Sequence, residues 1–487
     1  MASLTVSAPW TTTSPRRVAG SAAILGTLLA AALAIGAIGA LRPLLTLALC
    51  CVLAIGVWVS VRPALGAYLV VGLTPVIVGI DRGSVIPLLR PSEALALAVG
   101  SSIVARAILK WRTGQLKLPT FTKVESAILL MALCNSVVPI VWLLARGESV
   151  TADDILYALV LWKYFGVYLI IRASIRTEHQ VLTCLWLSVA SGAFVGIVAI
   201  LQSLQLFGVP RILATYYAPF GYTGALDHSR GSSTLALPAA TADLMIFNLA
   251  VVAGLWRRGR HRGVLAAATV LFVMAALSAG EFSSAIGLVI AICCIALVTN
   301  YPRLLSLFIP IAGVAAIVLR PVIATRLSGF QSLSGVPVSW TGRLNNLRNY
   351  FWPRVFSDWN FLFGVRPAAR VRVPYQATGY VWIESGYTWL LWGGGIPLFV
   401  AFIIFARAAL SQSWRLGRAS LEPTSAASVG VFVAVCVVCV LMIFDPHITY
   451  RGAAEELFTL IALSTVALRK PELFNSTDRT TPAEVPS

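Results

Sequence analysis

Eight arginines fall within one stretch of 66 residues, 320–385: Arg320, Arg326, Arg343, Arg348, Arg354, Arg366, Arg370 and Arg372. Only Asp358 and Glu384 oppose them as acids. A planar guanidinium offers paired hydrogen bonds to a phosphate, so such a cluster suits a phosphorylated lipid at a membrane surface. The plainer alternative is that each arginine snorkels to lipid headgroups. A second polar group, Asp227, His228 and Arg230, lies just before another apolar run, where Asp227 and Arg230 could equally pair or cap the helix that follows. Glu384, just before an apolar run, could be a helix cap favoured by the positive end of the dipole. Lys163 stands in the middle of a further apolar run and requires a partner or a watery cavity, with Asp243 a candidate partner. No Asp-x-Asp pair, histidine cluster or Ser/His/Asp order stands out, so neither a metal nor another cofactor is expected.

The elements that carry these residues are membrane spans. The chain is 58% apolar and 11% charged, outside the range of soluble domains, and its apolar residues gather into runs of helix-crossing length. Fourteen candidate spans begin near Val18, Pro43, Ala64, Ser92, Val124, Asp154, Val181, Leu235, Val264, Ser284, Arg303, Gly386, Ala426 and Gly452. The runs ending near Ala279, Asn300 and Leu319 are short, and a pair of them could be re-entrant, which makes the expectation twelve to fourteen crossings. All eight cysteines lie in apolar runs, which argues against a disulfide framework or a zinc site.

Orientation follows from the positive-inside rule. Even-numbered connections hold Arg62; Arg112, Lys117 and Lys123; Arg172 and Arg176; Arg257, Arg258, Arg260 and Arg262; Arg303; and Arg407, Arg415 and Arg418. With Arg16 and Arg17 at one end and Arg469 and Lys470 at the other, both termini are expected in the cytoplasm of a multi-pass plasma-membrane protein. The expected organisation is a tail at 1–17, spans one to eleven at 18–319 with an outer loop at 207–234, a large outer loop at 320–385, spans twelve to fourteen at 386–468, and a disordered tail at 469–487. In the large loop, Leu344, Leu347, Phe351 and Val355 recur at helical spacing, which predicts a short amphipathic helix on the membrane. The net charge of +18 is spread over short loops, fitting topology and an anionic ligand rather than nucleic acid.

The large loop and its flanks resemble the O-antigen ligase and O-antigen polymerase superfamily of bacterial envelope glycosyltransferases. The resemblance rests on Gly342-Arg343-Leu344, on Phe363-Gly364-Val365-Arg366, and on Glu384-Ser-Gly-Tyr387 leading to Gly395. Ile200-Leu201-Gln202 and Arg230-Gly-Ser-Ser-Thr-Leu agree more loosely. Ligases of this family usually place histidine where Glu384 stands, and many members carry a Ser-Arg pair where this chain reads Gly280-Glu281-Phe282-Ser283.

The resemblance implies an all-α, GT-C-like architecture. It also implies metal-independent transfer of a glycan from a polyprenyl pyrophosphate carrier to a glycan, lipid or wall-polymer acceptor at the outer face. Arg230 and Arg343, assisted by Arg348 or Arg366, are then expected to hold the pyrophosphate. Arg370 and Lys163 are further candidates for binding pyrophosphate or glycan. Glu384 is the expected base, Tyr387 its orienting or sugar-stacking neighbour, and His228 the reserve base. The rival reading is a lipid-linked oligosaccharide flippase, which needs a charged central cavity and has little use for the long outer loop. A non-enzymatic envelope scaffold is a third, and it would tolerate loss of every arginine named.

Overall fold

The computed structural model describes residues 54–82, 89–114, 121–217, 230–300, 338–374 and 379–466, with a few isolated positions besides. The chain divides into a short N-terminal unit, Met1–Trp58, and a main unit, Val59–Ser487. The spans expected from Val18 and Pro43, the one expected near Arg303, His228 with Asp227, and both tails fall wholly or largely outside the described residues.

The protein is an all-α polytopic membrane protein. Its described helices are α1 (Pro63–Ile77), α2 (Pro91–Arg112), α3 (Lys123–Ala145), α4 (Ala152–Ser174, with a break at Leu159), α5 (Glu178–Ser203) and α6 (Val209–Tyr216). After these come α7 (Pro238–Trp256), α8 (Arg262–Ser278), α9 (Phe282–Thr299), α10 (Val338–Asn346), α11 (Trp352–Val355), α12 (Asn360–Phe363), α13 (Gly386–Ala419), α14 (Pro423–Leu441) and α15 (Ala453–Ser464). Eight of these are long and apolar enough to cross a membrane, and α1 and α8 are shorter apolar helices. Eleven of the expected span starts coincide with described helix starts to within about a turn. At the expected fourteenth span, α15 has 12 described helical residues, all of them buried against protein.

Local sequence explains where several spans begin. Thr122 and Glu125, Thr151 and Asp154, and Thr177 and Gln180 form three capping boxes at the starts of α3, α4 and α5. Helix α7 is the axis of the bundle, with 94% of its apolar window buried, and it packs on α5, α8, α9, α14 and α15. By contrast, α2 keeps only 11% of its window buried and forms part of the periphery.

The described part of the large loop packs onto α13. Leu347, Phe351 and Val355 are buried, whereas Leu344 is exposed, so the expected amphipathic helix is present but faces protein. After α10 the backbone widens into a π-helical stretch, Leu347–Phe351. Pro353 follows, and a proline ring lacks an N–H and crowds the carbonyl four residues back, which a widened turn relieves. Phe351 meets Trp392 edge-on at 5.1 Å and the Trp352 indole donates to Thr388 at 3.2 Å. Beyond α12, Gly364 (φ +88°) approaches the α13 backbone, and Val365 N donates to Trp392 O at 2.7 Å. Opposite it, Gly395 (φ +64°) breaks α13, and a Cβ there would sit 2.3 Å from Leu362 O. The loop also holds a small antiparallel ribbon, β1 (Arg370–Arg372) with β2 (Tyr380–Trp382), pairing Val371 with Val381.

Candidate active site

A cavity of about 2160 Å³ opens where α2, α4 and the start of α13 meet the segments around Arg230 and Asp445. Five of the sequence-selected residues line it: Arg230, Arg343, Glu384, Arg370 and Lys163.

Arg343 is the centre of one wall. Its Nη1 donates to Asp445 Oδ2 at 2.5 Å, and its Nε lies 3.8 Å from Glu384 Oε1. Asn346, one turn further along α10, donates to Glu384 Oε2 at 3.1 Å. Glu384 does not cap α13, because Ser385 does so by accepting from Thr388 N at 3.3 Å. Its carboxylate is thereby released into the cavity. Burial pushes the Asp445 carboxyl up from 3.8 to about 6, against the opposing charges of Arg343 and His447. Burial alone would lower the Arg343 pKa, but Asp445 and Glu384 outweigh it and hold the guanidinium more firmly charged.

Arg230 reaches the same wall from the segment before α7. Gln202, buried at the end of α5, donates to Ser232 Oγ at 2.9 Å and accepts from Ser233 N at 2.7 Å, which fixes that segment. Gly231 fits because its N–H donates to Ser278 O at 3.0 Å and a Cβ would come within 2.7 Å of Ser278 Oγ. The Arg230 guanidinium then lies 3.2 Å from Glu281 Oε1, so the acid in Gly280-Glu281-Phe282-Ser283 is an arginine partner.

The opposite wall carries Arg82, Arg90, Lys163 and Arg451. Glu93 accepts from Arg82 at 2.8 and 3.1 Å and lies 3.9 Å from Arg90. Lys163 pairs with Glu455 at 2.7 Å and sits 4.5 Å above the Tyr164 ring. The expected partnership of Lys163 with Asp243 is therefore corrected: Asp243 meets His447 Nδ1 at 2.6 Å in the interior. Arg451 is pushed down to about 10, first by burial and next by the charge of Arg90.

The remaining sequence candidates serve the scaffold or lie elsewhere. Arg366 makes a two-pronged pair with Asp154, at 3.0 and 2.7 Å, and does not line the cavity. Arg370 pairs with Asp153 and stacks 4.2 Å over Tyr380, so it lines the cavity with its charge already met. Arg348 is exposed and away from the cavity, and the Tyr387 hydroxyl donates to Cys439 O at 2.6 Å between α13 and α14.

Sequence reasoning missed Asp445, Glu281, Arg82, Arg90 and Arg451. All lie in short odd-numbered connections, on the side where the long loops were expected, and that shared side was the available signal. Among the described residues, no group of three His, Cys, Asp or Glu side chains is disposed to hold a metal ion. Comparison of the chain with protein-family models, curated proteins and solved structures finds no match.

Proposed function

We propose that the protein is a glycosyltransferase of cell-surface polysaccharide assembly in the bacterial plasma membrane. It moves a glycan from a polyprenyl pyrophosphate carrier to an acceptor hydroxyl at the outer face. The observation that carries this reading is one arginine, Arg343, held between two carboxylates, Glu384 and Asp445, in a cavity whose other wall is cationic. The resemblance of the loop motifs to the O-antigen ligase and polymerase superfamily supports it, and a GT-C-like architecture belongs to the same reading.

In the reaction, the acceptor hydroxyl gives its proton to Glu384 as its oxygen bonds to the anomeric carbon of the donor sugar. The bond from that carbon to the pyrophosphate oxygen breaks, and the pyrophosphate leaves with the electron pair. Cavity cations stabilise the developing charge, a role in which preorganised donors away from bulk water act strongly. Glu384 suits the base because its carboxylate is open to the cavity and oriented by Asn346. Arg343 orients both carboxylates.

The flippase reading draws on the size of the cavity and the Lys163–Glu455 pair on its wall. Purified protein in liposomes, given labelled lipid-linked repeat units and an unlabelled acceptor, separates the readings. Transferase activity yields polymer or conjugate; a flippase moves label between leaflets without product; a scaffold does neither.

A further inference from the structure

Three polar side chains from three helices meet in the apolar interior, away from the cavity lining. Ser188 of α5 is 2% exposed, Asn248 of α7 0% and Glu456 of α15 3%. Ser188 Oγ lies 2.8 Å from Asn248 Oδ1 and 2.6 Å from Glu456 Oε1. Among the described residues, no charged side chain acts on Glu456.

Two short contacts thus converge on a hydroxyl with a single hydrogen, while an amide oxygen and a carboxylate carry none. The Asn248 amide is oriented by its Nδ2, which donates to Leu244 O at 3.1 Å; the reversed amide would set two acceptor oxygens against each other. Gly192 of α5 admits that amide, because a Cβ there would come within 2.9 Å of Asn248 Nδ2. Asn248 Oδ1 is therefore the acceptor of the Ser188 hydrogen. The contact with Glu456 then needs a second hydrogen, since it has the length of a direct O–H···O bond and two facing acceptors would repel. Only the Glu456 carboxyl can supply it. A neutral acid also suits the surroundings, where an ionised carboxylate without a cation is costly.

We propose that Glu456 is a proton-binding site in the interior of the bundle, a carboxylic acid that donates to Ser188 Oγ and so joins α15 to α5 and α7. When the proton leaves to water, the carboxylate takes the Ser188 hydrogen, Asn248 Oδ1 loses its donor, and the link from α5 to α7 is lost. The preceding residue, Glu455, pairs with Lys163 on the cavity wall at 2.7 Å, so the helix that binds the proton also holds a cavity cation. Of the titratable groups on the packed helices, Cys184 of α5 senses the Glu456 charge. The others are engaged elsewhere: Tyr68 of α1 with Thr183, Tyr164 of α4 with Thr449, Tyr168 of α4 with Glu125, Asp243 of α7 with His447, and Cys436 of α14 with Cys294.

The test is the infrared spectrum of the purified full chain in dodecyl maltoside, a detergent without an ester carbonyl, at about pH 6, more than a unit above the ordinary glutamate value of about 4.3. The wild type should show the carbonyl stretch of a protonated carboxyl, with the area of one group per chain, that Glu456→Gln lacks. In Ser188→Ala the band should persist and move to higher frequency, because its hydrogen-bond acceptor is gone. Glu456→Gln should fold normally, since its amide N–H still donates to Ser188 Oγ. A proton held in the folded state stabilises at low pH and its contribution is lost as pH rises, so between about pH 6 and 9 the wild type should lose melting temperature relative to Glu456→Gln. Asp445 is common to both proteins and cancels. Coincident wild-type and Glu456→Gln spectra, or a band unmoved in Ser188→Ala, would overturn the bound proton and its bond to Ser188; parallel melting profiles would overturn its release.

Discussion

Arg343 on α10 and Asp445 beyond α14 lie 102 positions apart in the chain and meet at 2.5 Å. Because Arg343 Nε is also 3.8 Å from Glu384, one guanidinium ties the loop helix, the start of α13 and the α14–α15 connection into a single wall. Arg343 and Glu384 belong to the same long loop and Asp445 to the separate α14–α15 connection, and the fold of the loop against α13 brings them together.

The Asp445 carboxyl gives a pH signature. Its folded pKa, about 6, exceeds the ordinary 3.8, so the folded protein takes up a proton that the unfolded chain releases between those values. This group's contribution to stability is therefore greatest below about 4 and falls as pH rises through about 6. Thermal melts across that window should show the wild type losing stability with rising pH relative to Asp445→Asn. Parallel curves for the two proteins would remove the assignment.

Arg366 is predicted to act through folding rather than chemistry. Its partner Asp154 is fully buried, and stripping one member from a buried pair costs about 3–5 kcal/mol. Arg366→Gln should lower the melting temperature strongly, and Asp154→Asn added to it should recover much of the loss. If Arg366→Gln melted like wild type but lost donor binding, the structural role would be wrong.

Gly395 is predicted to be irreplaceable even by alanine. Its φ of +64° is strained for any residue with a side chain, costing about 1–3 kcal/mol, and the Cβ would also strike Leu362 O. Gly395→Ala should reduce the yield of folded protein; wild-type yield and melting behaviour would show that the contact between α12 and α13 is not tight.

The spans were legible because a run of about twenty apolar residues has few other fates. Eleven described helix starts fall within about a turn of those expected from apolar runs, and Lys163 stands out because a charge inside such a run demands an explanation, whereas Arg343, Arg230 and Glu384 stand out through the resemblance of their loop motifs. What stayed hidden was partnership. Asp153 and Asp154 read as the start of a span, so nothing in the sequence showed that they would absorb Arg370 and Arg366. Asp445 and Arg451 read as parts of a short turn, and Arg82 and Arg90 as isolated charges. Their convergence depends on how helix ends separated by hundreds of residues pack.

Sidedness is open to direct labelling. Asn345 is exposed on α10, two residues beyond Arg343. In intact cells, Asn345→Cys should react with a membrane-impermeant maleimide, well above the wild-type background. Reaction only after the inner face is exposed would invert the orientation inferred from charged connections.

The most direct measurement is glycan transfer in liposomes carrying purified wild-type, Arg343→Ala or Glu384→Gln protein, supplied with labelled polyprenyl diphosphate-linked repeat units and acceptor. The wild type should form product, and both variants should insert and fold but lose about 100-fold or more of the rate, the scale of a lost general base. Equal product from all three proteins, or label crossing the bilayer with no product from any, would contradict the account.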